Sequence, residues 1–402
     1  MALIVKKFGG SSVADAECIR RVAGIIAASW KDGNQVVVVL SAQGDTTDDL
    51  LEKAAEINPN ASKREMDMLL HTGEIVSISL MAMELQRLGL PVVSLTGWQV
   101  GMETSSAYGN ARISKISGTR IQEELDRNRI VLVAGFQGIN KYGDITTLGR
   151  GGSDTTAVAL AVALKADKCQ IYTDVDGVYT ADPRKCPEAR KLSEITYDEM
   201  LELATLGAQV LHNRSVEMAK RYHVTIEVLS SFTGAPGTLV KEVAKKMEET
   251  YISGVAQDKN IARVALVGVE NTPGVAYRIF SLLAKEKINV ELIVQSIGRE
   301  TRKDIGFIIS QTALDAAKKL LEENKQQLGF EALDVEDHVA LVSVVGSGME
   351  GNPGVASTMF EALYEKHINI RMISTSEIKI SVLVNIEDAD SALKAVHRKF
   401  FG

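Results

Sequence analysis

Cysteine, histidine and aromatic side chains are scarce in this sequence, and each scarcity removes a class of function. The three cysteines, Cys18, Cys169 and Cys186, are odd in number and far apart, which fits neither a disulfide framework nor a zinc site. The six histidines show no ligand spacing. Together these features point to a cytoplasmic protein with no metal centre of its own. Aromatics make up 5% of the chain and the formal net charge is −7, which disfavours a base-stacking or phosphate-backbone reader of nucleic acid. No uninterrupted apolar run reaches about 18 residues, so no membrane span is expected. The first residues place Lys6 and Lys7 after the apolar stretch, which reads as a strand rather than a signal peptide.

What is present is a long chain of 402 residues, enough for two or three domains. Up to about residue 245, short β-branched runs such as 35–41, 91–95, 130–135 and 169–175 alternate with segments of helical apolar spacing at 14–31, 63–88 and 154–166. Continuous apolar strands of this kind suit a mainly parallel sheet with helices on both faces. Ligands of such sheets gather at the carboxyl ends of the strands.

After a charged, helix-like stretch at 241–249 the sequence repeats. Pro273-Gly274-Val275-Ala276 recurs as Pro353-Gly354-Val355-Ala356, and Ile288-Asn289-Val290 as Ile368-Asn369-Ile370. Each copy reads strand, loop, helix, strand, strand, helix. The second copy ends in a helix at 389–400 with no chain left for a sixth strand, so residues near 250–260 are expected to supply one. The boundaries expected are therefore 1–245, 261–334 and 335–402. The repeat resembles the ACT domain, a βαββαβ amino-acid-sensing module. A glycine ahead of each helix opens its N-terminus to a ligand carboxylate, although a purely structural duplication would also repeat.

Three segments carry chemistry. In Lys6-Lys7-Phe8-Gly9-Gly10-Ser11-Ser12 a strand delivers lysine to a Gly-Gly turn, where backbone N–H groups can approach phosphate oxygens. A plain strand–turn–helix, capped by Ser11 or Ser12, explains that segment equally well. Leu148-Gly149-Arg150-Gly151-Gly152-Ser153-Asp154 precedes a helix that Ser153 or Asp154 would cap. Capping leaves the glycines and arginine unexplained. Arg150 suits a carboxylate held through two parallel hydrogen bonds, and Asp154 suits a partner for Lys7. The polar run from Thr173 to Arg184 follows a strand and is long enough to wrap a nucleotide, beyond what its Asp-Gly and Asp-Pro turns require. Two further segments, Ser41–Thr47 and Thr72-Gly73-Glu74, offer hydroxyls and a carboxylate. Glu74 taken alone reads as a solvated helix residue, and His71 as packing or surface.

In this order the segments KFGGSSV, SAQGDTTD, TGE, GRGGSDTTA and TDVDGVYTADPR, followed by two PGVA repeats, resemble the aspartokinase family along the whole chain. The resemblance implies a three-layer α/β amino-acid kinase domain with a mainly parallel sheet, plus two ferredoxin-like ACT domains. It implies ATP-dependent phosphorylation of the side-chain carboxylate of L-aspartate, with Mg²⁺ held mainly by the phosphates. Lys7, Glu74 and Asp154 would be catalytic, with Thr47, Glu74, Arg150 and Ser153 on the amino acid. Lys7, Phe8, Gly9, Gly10, Thr173, Asp174, Tyr179, Thr180, Asp182 and Arg184 would hold ATP. Lysine, threonine or both would bind at Asn271, Gly274, Val275, Ala276, Asn289, Glu291 and Gln295, and at Val355, Ala356, Asn369, Ile370, Ser376 and Glu377. Assembly as a homodimer or dimer of dimers through the ACT domains is implied, with no nucleic acid or membrane partner. Gln209 stands where many family members carry a lysine, and Asn213 where a proline is common. A glutamate or acetylglutamate kinase, and a non-catalytic amino-acid sensor, remain the alternatives.

Overall fold

A computed structural model of the chain describes residues 1–206, 210–243, 252–296, 301–347, 349, 352 and 354–402. Gln209, Pro353 and most of the 241–249 stretch lie outside the described residues. The chain divides into two compact units: 1–179, 191–205 and 209–247 form the first, and 180–190, 206–208 and 248–402 the second.

The first unit begins with β1 (Leu3–Phe8), α1 (Ala16–Lys31), β2 (Gln35–Leu40), α2 (Thr46–Ile57), α3 (Lys63–Leu70) and α4 (Thr72–Arg87). It continues through β3 (Val92–Leu95), β4 (Met102–Thr104), β5 (Ile113–Ile116), α5 (Thr119–Asp126), β6 (Ile130–Ala134), β7 (Gln137–Ile139) and β8 (Ile145–Thr147). It closes with α6 (Gly152–Leu164), β9 (Lys168–Thr173), β10 (Glu194–Thr196), α7 (Tyr197–Thr205), α8 (Asn213–Tyr222), β11 (Ile226–Ser230) and β12 (Thr238–Lys241).

Eight strands form the central sheet in the order β10-β12-β11-β9-β1-β2-β6-β3. Every neighbouring pair is parallel except β11 with β12. Val36, Val38, Leu40, Ile130 and Leu132 bury one face of this sheet against Val22 and Ile26 of α1 and Ile78, Met81 and Leu85 of α4. The opposite face meets α6, whose Ala157, Val158, Leu160 and Ala161 are buried. A second sheet, β5-β4-β7-β8, is built beside it.

Two local expectations are corrected. Helix α6 is not capped by Ser153 or Asp154; it starts from Gly151, whose φ of 68° is left-handed, so both polar residues fall inside its first turn. Ser11 and Ser12 lie within a short 3₁₀ turn, Gly10–Val13, and α1 is capped instead by Asp15, which accepts from the Cys18 N–H. The helical stretch Lys63–Arg87, which α3 and α4 share across His71, passes a length and composition test for a bilayer span, as a buried core helix also does, and it holds no uninterrupted apolar run of that length. Half of its apolar window is buried within the fold.

The second unit contains β13 (Gly254–Asp258), β14 (Ile261–Glu270), α9 (Val275–Lys285), β15 (Leu292–Gln295), β16 (Arg302–Ser310), α10 (Leu314–Glu323), α11 (Lys325–Leu328) and β17 (Ala332–Glu336). The last elements are β18 (Val339–Val345), α12 (Val355–Tyr364), β19 (Met372–Thr375), β20 (Lys379–Asn385) and α13 (Ala389–Phe401). They make two four-stranded antiparallel sheets, β15-β16-β14-β17 and β13-β18-β20-β19. Strand β13 precedes the first module yet pairs with β18 of the second.

Candidate active site

Strand β1 presents its two lysines to opposite faces, because side chains alternate along a strand. Lys7 meets α6, with Nζ 2.7 Å from Asp154 Oδ1. Lys6 turns the other way, where its ammonium donates to Gln170 Oε1 and the Tyr172 hydroxyl. Burial holds Lys6 down to about 8. Phe8 is fully buried with its ring stacked on Tyr172, centroids 4.5 Å apart, so its side chain is core rather than a nucleotide contact. Of the two glycines Gly10 is sterically required: a Cβ there would lie 2.9 Å from the Ala42 carbonyl oxygen.

A cavity of about 740 Å³ opens at the carboxyl ends of β1 and β2. Lys7, Gly10, Thr47, Glu74, Arg150, Ser153 and Asp154 all line it. Six of the seven were singled out in the sequence as catalytic or substrate residues; Gly10 was singled out for the phosphates. Thr47 comes from the first turn of α2, and Arg150 from the loop between β8 and α6.

Glu74 is the unusual group here. It sits in α4 at 3% exposure, with Oε1 accepting from the Ala42 N–H at 3.2 Å and Oε2 buried without a hydrogen-bond partner among the described residues. Burial pushes its carboxyl up to about 8, against the opposing pull of the Ala42 amide. A buried carboxyl with an unused oxygen on a cavity wall can be satisfied by a hydrogen-bond donor or cation of a ligand.

The loop bearing Arg150 is shaped by residues that the sequence did not mark. Asp67, on α3 and 1% exposed, accepts from the Gly109 and Thr147 N–H groups and from the Thr147 hydroxyl. Arg214, on α8, donates to the carbonyls of Leu148 and Ala111. A Cβ on Gly151 would lie 2.2 Å from the His212 ring. One signal was readable: Asp67 interrupts the otherwise apolar run Met66–Leu70.

The expected nucleotide residues divide. Thr173 donates to Asp174, and the Tyr179 hydroxyl donates to Asp176, which Lys191 also pairs. All of these belong to the first unit but do not line the cavity. Thr180, Asp182 and Arg184 belong to the second unit. Thr180 is buried, and in place of an open hydroxyl for a nucleotide its Oγ1 meets the Arg190 N–H and His397 Nε2, each at 2.9 Å. Its amide and carbonyl are engaged by Arg190 and Val255. The exposed Arg184 pairs with Asp182.

In the ACT-like modules, Gly274 and Gly354 start α9 and α12 in left-handed conformations, φ 88° and 117°. Val275 is 1% exposed and packs into the module core, so its side chain is closed to a ligand. Ala276, Asn271, Asn289, Glu291 and Gln295 are exposed, as are Asn369, Ser376 and Glu377; Val355, Ala356 and Ile370 are half-buried.

The comparisons with known proteins are in register with this geometry. The chain matches the amino acid kinase family over residues 2–230 and the ACT domain over 264–324 and 342–400. It is 50% identical over its whole length to the aspartokinase of Bacillus sp. (strain MGA3), covering 97% of that protein. The chain belongs to the aspartokinases. Against aspartokinase 2 of Bacillus subtilis (strain 168) it is again 50% identical, covering 98% of that protein. Among solved structures, E. coli aspartokinase III in complex with aspartate and ADP, in the R-state, superposes with a TM-score of 0.83 at 28% identity, each chain fully covered. The same enzyme with lysine and aspartate, in the T-state, gives 0.76 at 29%, also over both full lengths. The aspartokinase reaction, ATP-dependent phosphorylation of aspartate under ACT-domain control, is therefore this chain's function. The glutamate-kinase and sensor alternatives find no support among these relatives.

Proposed function

We propose the following division of labour within that reaction. Arg150 holds the α-carboxylate of aspartate and Glu74 its ammonium, with Thr47 and Ser153 adding hydrogen bonds. The observation that carries this reading is Glu74: a buried carboxyl with a free oxygen shares one cavity with Arg150 and Lys7. Lys7, held by Asp154, faces the phosphoryl group in transfer, and the Gly9–Gly10 backbone lines the phosphates.

The side-chain carboxylate of aspartate is ionised at neutral pH, since its ordinary pKa is about 4. No general base is needed. A carboxylate oxygen bonds to the γ-phosphorus, the bond from that phosphorus to the bridging oxygen breaks, and ADP leaves with the electron pair. The product is the acyl phosphate 4-phospho-L-aspartate. The obstacle is repulsion between two anions, which Lys7 and backbone N–H groups offset by fixed positive charge. Magnesium fits as an ion carried by the phosphates, because cavity carboxylates such as Asp67 and Asp154 are already committed to protein donors. When bound it would neutralise phosphate charge.

Thr173, Asp174 and Tyr179 are assigned to ATP, as are Asp182 and Arg184, which follow them in the sequence. Lysine, or threonine, is assigned to the module residues named above; the lysine-bound E. coli relative supports lysine first. Pairing of copies through the ACT modules is supported by the edge strands β15 and β19, whose Ile293 and Ile373 are exposed. A cytoplasmic location, where ATP and free amino acids are available, belongs to the same proposal. Trapping the acyl phosphate with hydroxylamine tests the central claim: hydroxamate forms with aspartate and not with glutamate. Turnover of glutamate alone would overturn it.

A further inference from the structure

Arg150 stands on a loop that cannot hold its own shape. It is flanked by Gly149 and Gly151, both left-handed at φ 77° and 68°, and glycine is the residue that restrains a backbone least. Two charged side chains restrain the backbone beside it instead. Arg214 sends Nη1 to the Leu148 carbonyl at 2.7 Å and Nη2 to the Ala111 carbonyl at 2.6 Å, so one planar fork ties two segments together. From the α3 side, Asp67 accepts from Thr147 N at 2.9 Å and Thr147 Oγ1 at 2.7 Å, and from Gly109 N at 2.9 and 3.0 Å. Between the two, Ala111 N donates to the Thr147 carbonyl at 2.9 Å.

Among the described residues neither side chain forms an ion pair. Arg214 is spent on backbone carbonyls, and Asp67 on backbone amides and one hydroxyl, an expensive arrangement for groups buried or half-buried. All the contacts fall on residues 147–148 or on the turn segment 109–111, joined to them by the Ala111 amide. Among the described residues the two side chains tie nothing else. Burial, with Arg112 adding repulsion, holds the Arg214 guanidinium below its usual value.

We propose that Asp67 and Arg214 are positioning residues for the amino-acid substrate: they form a bracket that sets the loop carrying Arg150. This rests on the reading of Arg150 as the carboxylate holder. The bracket acts on aspartate and leaves ATP untouched, because neither residue reaches the Gly9–Gly10 turn or the segment 173–179.

The test compares Arg150→Ala, Arg214→Lys, Arg214→Met and Asp67→Asn in the full chain, reading KM for aspartate, KM for ATP, kcat and melting temperature. Lysine reaches one carbonyl but not both, and asparagine turns an N–H₂ toward N–H donors. The expected result is a roughly tenfold or greater rise in KM for aspartate in Arg214→Met and Asp67→Asn. Arg214→Lys falls between Arg214→Met and the parent, and KM for ATP stays within about twofold throughout. An unchanged aspartate KM in Arg150→Ala overturns the carboxylate reading and the bracket with it. A raised KM in Arg150→Ala, with the parent's value in both Arg214 variants, overturns the bracket alone. Aspartate and ATP KM rising together in the Arg214 variants, alongside a lower melting temperature, also overturns it, since that is general loosening. If Asp67→Asn fails to fold, the Arg214 pair decides.

Discussion

Lys7 Nζ and Asp154 Oδ1 stand 2.7 Å apart across the junction of β1 with α6, both nearly buried. The pair fixes a mobile four-carbon side chain at one point of the cavity wall. Lys7→Met should lower kcat by a hundredfold or more, roughly the scale of one lost charge-stabilising donor. Asp154→Asn should cost less, because an amide oxygen still orients the ammonium. Hydroxamate formation under saturating aspartate and ATP measures both. Equal kcat in Lys7→Met and the parent would remove Lys7 from the reaction.

Glu74 gives the reaction a pH signature. Its carboxyl titrates near 8 in the free enzyme, and ammonium binding needs the ionised form. The value of kcat/KM for aspartate should therefore rise with pH through the region around 8, since that parameter reports free-enzyme groups. Glu74→Gln should raise KM for aspartate and flatten that limb. A profile of the variant parallel to the parent's would clear Glu74 of the role.

The same residue should make the fold less stable as pH rises. In the unfolded chain Glu74 loses its proton near 4.5, in the folded one near 8. Between those values the folded state keeps a proton that the unfolded state has released, so stability falls as pH rises through the window. Without ligands, Glu74→Gln should melt above the parent at about pH 9 and close to it at about pH 4. Thermal melts across this range check the sign.

Thr180 serves the second unit's packing. Its hydroxyl is the partner of His397 Nε2, and the other ring nitrogen, Nδ1, is already buried without a hydrogen bond among the described residues. Thr180→Val should cost about 1–3 kcal/mol, the scale of an unsatisfied buried polar group. A denaturant titration measures it. KM for ATP should stay within about twofold in the same variant.

Lysine should raise the melting temperature of the parent and lower its activity, by binding to the folded state alone. Glu291→Ala should weaken both effects together. Calorimetry that detects neither lysine nor threonine would remove the effector assignment.

The layout of the α/β unit was legible because its strands are short, continuous and β-branched; 35–41 and 130–135 in the sequence correspond to Gln35–Leu40 and Ile130–Ala134. The duplicated modules announced themselves through Pro-Gly-Val-Ala and Ile-Asn. Motif residues of the cavity were legible because glycine spacing betrays close backbone approach. Which of Lys6 and Lys7 faces that cavity is decided by register against β2 and β9, information that adjacent lysines do not carry. Asp67 and Arg214 escaped for another reason. Their partners lie far along the chain and, apart from the Thr147 hydroxyl, are main-chain atoms, so no side-chain pattern records them. The start of α6 was misread because Ser153 and Asp154 are good caps by type, whereas a left-handed glycine before them supplied the turn.

Strand β13 has a temporal consequence. It is made before the first ACT-like module, yet the strand it pairs with, β18, is made after that module is complete. On the ribosome the first module can close while β13 still waits with an unpaired edge. The second module is then finished by the last residues of the chain, with α13 packed behind β13 and β18. Loss of the C-terminal helix would thus leave open an edge laid down on the far side of a finished neighbour.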